Sequence, residues 1–265
     1  MKWSILYPYK KMINNLFYRK KQVATFHMGR CGSTVLAYML NDHSKIYWDS
    51  EPFSPYMEGR KKHYDKKEFV EHTLEMSRHR EISMIYGFET KYLPQQHLSH
   101  NCINMELENY IAVLEELNFS SFIVLHRKNY LRRVISTLIA TQTEIWHSKK
   151  TAASPEKVIV PINSSDNGVL AAPILELFQI MDESFNHLKK LLATRDTLSL
   201  IYEDDILEDP RVAYRKVCEF IGVEDESPKI KLYRTNPFSY EDTVINFGEV
   251  KSTLLNTKYS WMLDD

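Results

Sequence analysis

The sequence predicts an α/β fold in which a central parallel sheet is flanked by helices. Short runs of β-forming apolar residues alternate along the chain with longer segments of helical spacing. The chain has 265 residues, of which 43% are hydrophobic and 26% charged, so it can bury a large core without a disulfide or a metal. Only 7 residues are glycine, yet Gly29 and Gly32 fall within one short turn.

Charge and cysteine content exclude several classes of protein. The chain carries 34 Lys and Arg against 35 Asp and Glu, a net charge of −1, which argues against a nucleic-acid-binding protein with a positive field. Its 3 cysteines show no C-x-x-C spacing and indicate a reducing compartment, so we expect a cytoplasmic protein. Apolar runs all fall short of the roughly 18 residues of a membrane span.

Residues 1–21 form a basic leader that contains lysines and one arginine but no acid. The sequence PYKK at 8–11 interrupts the apolar core that a secretory signal needs. Two interpretations stay open: a helix in weak contact with an anionic membrane surface, or a solvated leader at the domain edge. Residues 22–265 are predicted to form a single domain.

The elements follow from periodicity and from turn residues. Runs of β-forming residues predict strands at 22–28, 82–86, 122–126 and 198–202. Helical spacing predicts helices at 34–41, 65–80, 105–117, 131–145, 170–194 and 210–221. Residues 148–168 are polar, contain prolines and lack periodicity, so we expect a long loop there.

The segment Phe26–Thr34 reads as a strand, a glycine turn and the start of a helix. That arrangement directs successive backbone N–H groups and the positive end of the helix at one point, which suits a phosphate. Arg30 adds a charged donor, and Ser33 and Thr34 add hydroxyls. The alternative is a tight turn that needs glycine only for its backbone. The segment is not a Walker A loop, because two residues rather than four separate the glycines and no lysine follows.

A second cationic element follows the predicted strand 122–126. Ligands on such sheets bind beyond the carboxyl ends of the strands, so we expect Arg127 to meet the ligand of the first turn. Ser136 lies about two helical turns further on. We interpret Lys128 and one of Arg132 and Arg133 as a solvated helix face.

The sequence predicts no metal site. It contains neither an H-E-x-x-H motif nor a cluster of cysteine and histidine. His97 and His100 lie in a polar segment and are interpreted as surface residues.

Together these elements resemble the sulfotransferases that use 3′-phosphoadenosine 5′-phosphosulfate (PAPS), in particular the bacterial and carbohydrate branch. Gly29–Thr34 is similar to the family's 5′-phosphosulfate loop, R-[ST]-G-[ST]-[ST], with Cys31 in place of the usual Ser or Thr. Arg127 and Ser136 match the family's 3′-phosphate element. Ile201–Pro210 is similar to its Y-E-D-L…D-P stretch. The resemblance implies a P-loop nucleotide-binding-like sulfotransferase fold.

The resemblance also implies an activity and a set of binding residues. The activity is transfer of a sulfuryl group from PAPS to an acceptor hydroxyl on a carbohydrate or related alcohol, with PAP as product and no metal. The residues implied to bind the 5′ end of the nucleotide are Gly29, Arg30, Cys31, Gly32, Ser33 and Thr34. Arg127 and Ser136 are implied to bind its 3′-phosphate, and the two sites are expected to face one cleft.

The acceptor hydroxyl needs a base, and the resemblance points to Glu51. We expect burial or substrate to raise the pKa of Glu51. Asp49 is the alternative base, and the alternative interpretation of Glu51 is an ordinary surface glutamate before a proline-fixed turn. His27 is expected to touch the substrate or the leaving group, unless it is a core histidine at the strand end. Lys91 is expected at the substrate, unless it is solvated.

Two other classes of function stay open. One is a nucleotide-dependent kinase or phosphotransferase on a similar sheet, against which the missing Walker A spacing counts. The other is a non-catalytic module that binds a nucleotide or a membrane surface, which only the basic leader supports. The sequence leaves the acceptor open among saccharides, lipid-linked saccharides, polyketide hydroxyls and tyrosine.

Overall fold

The computed structural model describes residues 21–57, 66–78, 85–163 and 172–264. These residues group into two compact units. The first holds the described residues up to His126 together with Asn186–Lys229, and the second holds those of Arg127–Phe185 and Ile230–Asp265. The basic leader lies outside the described residues except for Lys21, and the single domain over 22–265 stays a prediction.

A parallel sheet forms the centre of the first unit. Its five strands, in chain order, are β1 Lys21–His27, β2 Ile46–Asp49, β3 Ile85–Lys91, β4 Ser121–His126 and β5 Asp196–Ile201. They lie side by side in the order β2-β3-β1-β4-β5, and every neighbouring pair is parallel. β1 is therefore the middle strand, which suits its nearly complete burial. The predicted α/β architecture is confirmed.

The helices alternate with these strands along the chain. In chain order they are α1 Ser33–Asn41, α2 Ser54–Met57, α3 Lys66–Arg78, α4 Leu107–Glu116, α5 Tyr130–Thr143, α6 Ile174–Leu192, α7 Tyr202–Asp205, α8 Arg211–Ile221, α9 Tyr240–Thr243 and α10 Phe247–Leu254. A 3₁₀ turn follows at Ser260–Leu263.

Helices of the first unit cover both faces of the sheet. On one face Phe26 of β1 packs edge-on against Tyr110 of α4, with ring centroids 6.2 Å apart. Successive strand residues point to opposite faces, so His27 and Glu89 lie on the other face, where α1 packs against β2 and α8. The aromatic core therefore occupies one face, while polar side chains collect on the other at the carboxyl end of β1.

Two features of the sheet differ from the prediction. β2 was not predicted, because it is only four residues long and lies close behind α1. β3 continues to Lys91, past the predicted end of the strand at 86, while residues 82–84 of the predicted strand lie outside the described part of the chain. Gly87 interrupts the run of β-forming residues and hides the rest of this strand, which includes Glu89.

Gly87 makes room for the indole of Trp48. A Cβ added at Gly87 would overlap the six-membered ring of Trp48, which lies across the β3 backbone. The two residues are register partners in the β2–β3 pairing, and both point to the face that α1 covers. The Trp48 Nε1–H donates to Glu89 Oε1 at 3.3 Å.

Helix α5 opens the second unit and is capped by Asn129. The Asn129 side chain accepts from the backbone N–H of Arg132 at 2.9 Å and donates to Tyr240 Oη at 3.0 Å. Residues 148–163 of the expected long loop contain no helix. They are held by bridges from Ser148 to Tyr233 and from Val158 to Val244. Residues 164–168 of that loop lie outside the described part of the chain.

Among the described residues, no helix combines the length and the apolar character needed to cross a bilayer.

We expect Gly87→Ala to destabilise the protein by about 1–3 kcal/mol, because the new methyl group overlaps a buried indole whose N–H is hydrogen-bonded to Glu89. Urea denaturation followed by circular dichroism measures the change. Gly248→Ala is the matched control, since its Cβ meets nothing within 4 Å and alanine is the better helix former. Equal stability of the two variants would show that the Trp48 ring has room to move.

Candidate active site

The turn after β1 has an unusual backbone. Gly29, Arg30 and Gly32 adopt left-handed φ angles of 76°, 56° and 81°. Arg30 is not a glycine, so this conformation is strained there and must be held by its surroundings. A turn built from left-handed residues can point successive backbone N–H groups towards one side, which is the geometry of an anion-binding concavity.

Helix α1 begins directly after this turn with its first N–H groups uncapped. Gly32 is the N-cap residue, no side chain among the described residues caps the helix, and its first turn carries no acid. The positive end of the helix dipole therefore adds to the anion-binding character of the turn.

Gly32 leaves room for two side chains, one from α7 and one from the residue that follows it. A Cβ at Gly32 would lie 2.6 Å from Cγ2 of Ile206 and 3.2 Å from Cδ2 of Tyr202. Both neighbours belong to the stretch that resembles the family's Y-E-D-L motif. In this chain that stretch packs against the turn and supports its shape.

His27 links the turn to a buried acid–base cluster. Its side chain is fully buried, and its Nδ1 accepts the backbone N–H of Gly29 at 3.2 Å. In the neutral ring the proton is then on Nε2, which lies 3.5 Å from Oε1 of Glu51 and 3.6 Å from Oε2 of Glu89. His27 therefore contacts the Gly29 N–H and the carboxyl groups of Glu51 and Glu89. Because its ring is fully buried, it has no contact with solvent.

Glu51 is the centre of the cluster. Its Oε2 accepts from Lys91 Nζ at 2.6 Å and from Ser54 Oγ at 2.5 Å, and it lies 3.6 Å from Nε2 of His97. The Glu51 side chain keeps about a fifth of its surface exposed, so it can still be reached from solvent. Lys91, expected either at the substrate or in solvent, forms an ion pair with the expected base.

The expectation of a raised pKa for Glu51 is wrong. Burial alone would raise the pKa of its carboxyl, but the hydrogen bond from His97 and the positive charge of Lys91 outweigh burial and hold the pKa well below its usual range. Glu51 is therefore ionised at neutral pH. It can accept a proton, although it is a weak base while Lys91 remains paired with it.

His97 is a buried residue of this cluster, and its interpretation as a surface residue is wrong. It has no exposed surface, whereas His100 is exposed as expected. The Nδ1 of His97 accepts the backbone N–H of Lys91 at 2.9 Å, and its Nε2 lies 3.2 Å from Ser54 Oγ. Burial lowers the pKa of His97 despite the nearby Glu51. Two neutral histidines thus present Nε2 towards the same carboxylate.

Glu89 is a site residue that the sequence analysis missed. It is 2% exposed and lies on β3, close to His27, Trp48 and Ser33. Burial and the negative charge of Glu51 raise the pKa of Glu89 to about 8, against the opposing effect of hydrogen bonds from Ser33 and Trp48. An acid inside the apolar strand sequence IYGFETK was the signal that could have found it.

The remaining turn residues are not equivalent. Ser33 is buried, and its hydroxyl is hydrogen-bonded to Glu89. Cys31 is fully buried, and its Sγ lies 3.8 Å from Nδ1 of His27. Arg30 and Thr34 are half-buried, and these two side chains border solvent at the turn.

Asp49, the alternative base, lies on the other face of the sheet. Residues alternate along β2, so Asp49 and Trp48 point to opposite faces. The Asp49 carboxylate is hydrogen-bonded to the hydroxyl of Ser77 in α3. It is therefore separated from the Glu51 cluster.

His27, Glu51 and Glu89 are also close enough to be considered as cation ligands. One ligand atom from each lies within 4.8 Å of the others. The Lys91 ammonium already neutralises Glu51 at 2.6 Å. We therefore treat the three residues as a hydrogen-bonded acid–base cluster.

In the second unit, Arg127 belongs to a separate group of cations. It is largely buried directly after the end of β4, and Ser136 is half-buried in α5. Arg132 lies 4.2 Å above the ring of Tyr240, and burial followed by the charges of Arg234 and Arg127 lowers its pKa. Mutually repelling guanidinium groups of this kind favour an anion between them.

The expected solvated face of α5 holds only in part. Lys128 is exposed. Arg133 is buried, and Arg132 packs on Tyr240 and donates to the carbonyl oxygen of Phe238 at 2.6 Å. The prediction that one of Arg132 and Arg133 is solvated is therefore not met, because both side chains are at least partly buried.

Comparison with known proteins gives weak structural likenesses. No protein-family model and no curated protein sequence matches the chain. A sulfotransferase from Alicyclobacillus acidocaldarius is 14% identical with a TM-score of 0.49, the match covering 80% of this chain and 86% of that one. The sulfotransferase domain of the Synechococcus PCC 7002 olefin synthase is 16% identical with a TM-score of 0.42, covering 80% and 77%.

A kinase is also among the solved structures that resemble the chain. Deoxyadenosine kinase from M. mycoides with bound dCTP is 12% identical with a TM-score of 0.35, covering 75% of this chain and 99% of that one. At these identities and TM-scores, none of the three likenesses assigns a function. The function has to follow from the residues of the site.

We expect the pH dependence of stability to carry the signature of Glu89. Its pKa is about 8 in the folded chain against an ordinary value of 4.5, so the folded state retains a proton that the unfolded state loses. The associated stability is complete below about pH 4.5 and is lost as pH rises through about 8. Glu89→Gln should therefore become progressively more stable than the original chain across this window.

Urea denaturation of both proteins at several pH values between these limits measures the difference. Glu219→Gln, on the exposed side of α8, is the control and should show no such trend. A constant difference between Glu89→Gln and the original chain would mean that Glu89 is ionised in the folded state.

Proposed function

We propose that this protein is a sulfotransferase that transfers the sulfuryl group of PAPS to an acceptor hydroxyl, with a carbohydrate or related alcohol as the acceptor class. One observation carries the proposal: an anion-binding turn and a carboxylate with an ammonium partner lie next to each other, joined by His27. A displacement with an anionic leaving group requires both parts, since the turn would stabilise the leaving group and the carboxylate would accept the proton of the acceptor. The motif resemblance supports the choice of sulfuryl over phosphoryl transfer.

The proposed reaction is an in-line displacement at sulfur. The acceptor oxygen forms a bond to sulfur while the bond from sulfur to the 5′-phosphate oxygen breaks, and the electron pair leaves with the phosphate. The turn N–H groups, the start of α1 and the Arg30 guanidinium would stabilise that charge. The fit is chemical: the left-handed turn and the uncapped start of α1 offer the backbone N–H groups that bind a phosphate ester.

Glu51 would take the proton of the acceptor hydroxyl. Its lowered pKa keeps it ionised, so it accepts the proton only as the O–S bond forms and the hydroxyl becomes acidic. Lys91 pairs with the same oxygen of Glu51 at 2.6 Å. If a bound sulfonate drew the Lys91 ammonium away, Glu51 would become a stronger base at the moment when it is needed.

We propose that Arg127 and Ser136 bind the 3′-phosphate of the nucleotide. Support comes from the second unit alone, where the charges of Arg127 and Arg234 both act on Arg132. A group of guanidinium side chains of this kind suits a dianionic phosphate ester better than a neutral ribose hydroxyl. A 3′-phosphate is also what distinguishes PAPS from ATP.

We expect PAP to stabilise the protein against heat more strongly than AMP, because only PAP presents a phosphate to the Arg127 group. Differential scanning fluorimetry with each nucleotide, without magnesium, measures the effect. Arg127→Ala should lose most of the response to PAP and keep that to AMP, and Lys128→Ala, exposed on the next residue, is the control. Stabilisation by magnesium and ATP alone would favour a kinase instead.

We expect Glu51→Gln to keep its affinity for PAP and to lower turnover by about 10²-fold or more, the range for loss of a general base. Mass spectrometry of saccharide and alcohol acceptors incubated with PAPS measures turnover as added sulfate. Asp49→Asn is the matched control, because that carboxylate faces the other side of the sheet. Near-normal turnover of Glu51→Gln would remove Glu51 from the mechanism.

A further inference from the structure

Glu89 is a buried acid to which the proposed reaction gives no role. It is 2% exposed, near the end of β3, within reach of groups from three other segments. Trp48 donates to its Oε1 at 3.3 Å, and Nε2 of His27 lies 3.6 Å from its Oε2. Its third neighbour is the hydroxyl of Ser33, the first residue of α1 after the anion-binding turn.

The contacts around Glu89 leave it without a full counter-charge. Lys91, the ammonium in this cluster, is paired with Glu51 at 2.6 Å. His27 is held neutral, because its Nδ1 accepts the N–H of Gly29 and so cannot also carry a proton. An ionised Glu89 would place a second negative charge beside Glu51 in a buried site, which is costly. Glu89 is therefore protonated while the cluster is undisturbed.

A protonated Glu89 has a hydroxyl hydrogen that needs an acceptor. The Trp48 indole and the His27 Nε2–H are both donors in this arrangement and cannot take it. The Ser33 oxygen can accept it and still donate its own hydrogen elsewhere. When Ser33 accepts from Glu89, its own hydrogen is directed away from Glu89, and Ser33 stands at the start of α1 beside the turn, where a bound anion would accept that hydrogen.

We propose that the proton on Glu89 sets the direction of the Ser33 hydroxyl, which makes Glu89 a positioning residue for the anionic group bound at the turn Gly29–Gly32. When Glu89 is protonated, Ser33 donates to the anion. When Glu89 is ionised, Ser33 donates to Glu89 instead, and a negative charge faces the anion from behind. The inference rests on the proposed nucleotide-binding function of the turn.

The reorientation of the Ser33 hydroxyl and the negative charge of Glu89 both weaken anion binding as pH rises. The charged and titratable groups that face Glu89 are His27 from β1, Glu51 after β2 and Lys91 at the end of β3 itself. The pKa of Glu89, about 8, places its titration above that of the nucleotide phosphates, whose second pKa is about 6. Anion affinity should therefore fall as pH rises above 8, and anion binding should draw one proton onto the protein.

Isothermal titration calorimetry with PAP tests the proposal. For the original chain, the Kd for PAP should rise by on the order of tenfold between about pH 7.5 and pH 9.5, with proton uptake seen as a difference between buffers of unlike ionisation enthalpy. Glu89→Gln, whose amide donates to Ser33 at every pH, should lose both effects and keep the high affinity. Ser33→Ala should bind more weakly and lose the part of the pH dependence that the hydroxyl carries, while it keeps the part that comes from the charge of Glu89.

The outcomes separate this proposal from the one on which it rests. Failure of PAP to bind at any pH would overturn both. PAP binding with an unchanged pH dependence in Glu89→Gln and Ser33→Ala would overturn only the role of Glu89. Glu219→Gln is the control and should behave as the original chain does. If Glu89→Gln does not fold, Ser33→Ala and the proton uptake of the original chain decide between the same results.

Discussion

The ion pair between Glu51 and Lys91 is the interaction on which the rest of the site depends. It joins a loop after β2 to the end of β3 and gives the buried cluster its one matched pair of full charges. Because Lys91 is committed to Glu51, the two histidines can stay neutral and Glu89 can keep its proton. A partly buried pair of this kind contributes little net stability, so its value lies in the charge state it imposes on its neighbours.

A backbone contact joins the Gly29–Gly32 turn to the acid–base cluster. The N–H of Gly29 donates to His27, and this fixes the proton of the ring on the atom that faces Glu51. The conformation of the turn thereby determines which atom of His27 meets the carboxylate. The left-handed φ of Arg30 is consistent with this role of the turn, because backbone strain persists only where the surrounding structure holds it and is common at functional sites.

Local patterns in the sequence were enough to predict the sheet, β1, the turn and most helices, because hydrophobic period and glycine position act over a few residues. The same patterns could not predict the cluster. Glu89 and Trp48 are 41 residues apart, and Gly87 hides the strand that unites them with the site. His97 looked like a surface residue because its neighbours in the sequence are polar, whereas its contacts with Ser54 and Glu51 come from a distant part of the chain. The direction in which the Glu51 pKa shifts depends on His97 and Lys91, which lie far from Glu51 in the sequence, so the residues around Glu51 could not predict it.

Trp48 lies flat across Gly87 and donates its indole N–H to Glu89, so a chromophore is built into the site. The other tryptophans in the described part of the chain, Trp146 and Trp261, are each 47% exposed, whereas Trp48 is buried. The emission of a buried indole responds to charge beside its N–H group. The chain therefore carries an intrinsic optical reporter of the carboxyl at its centre, one that needs no label and registers a single proton.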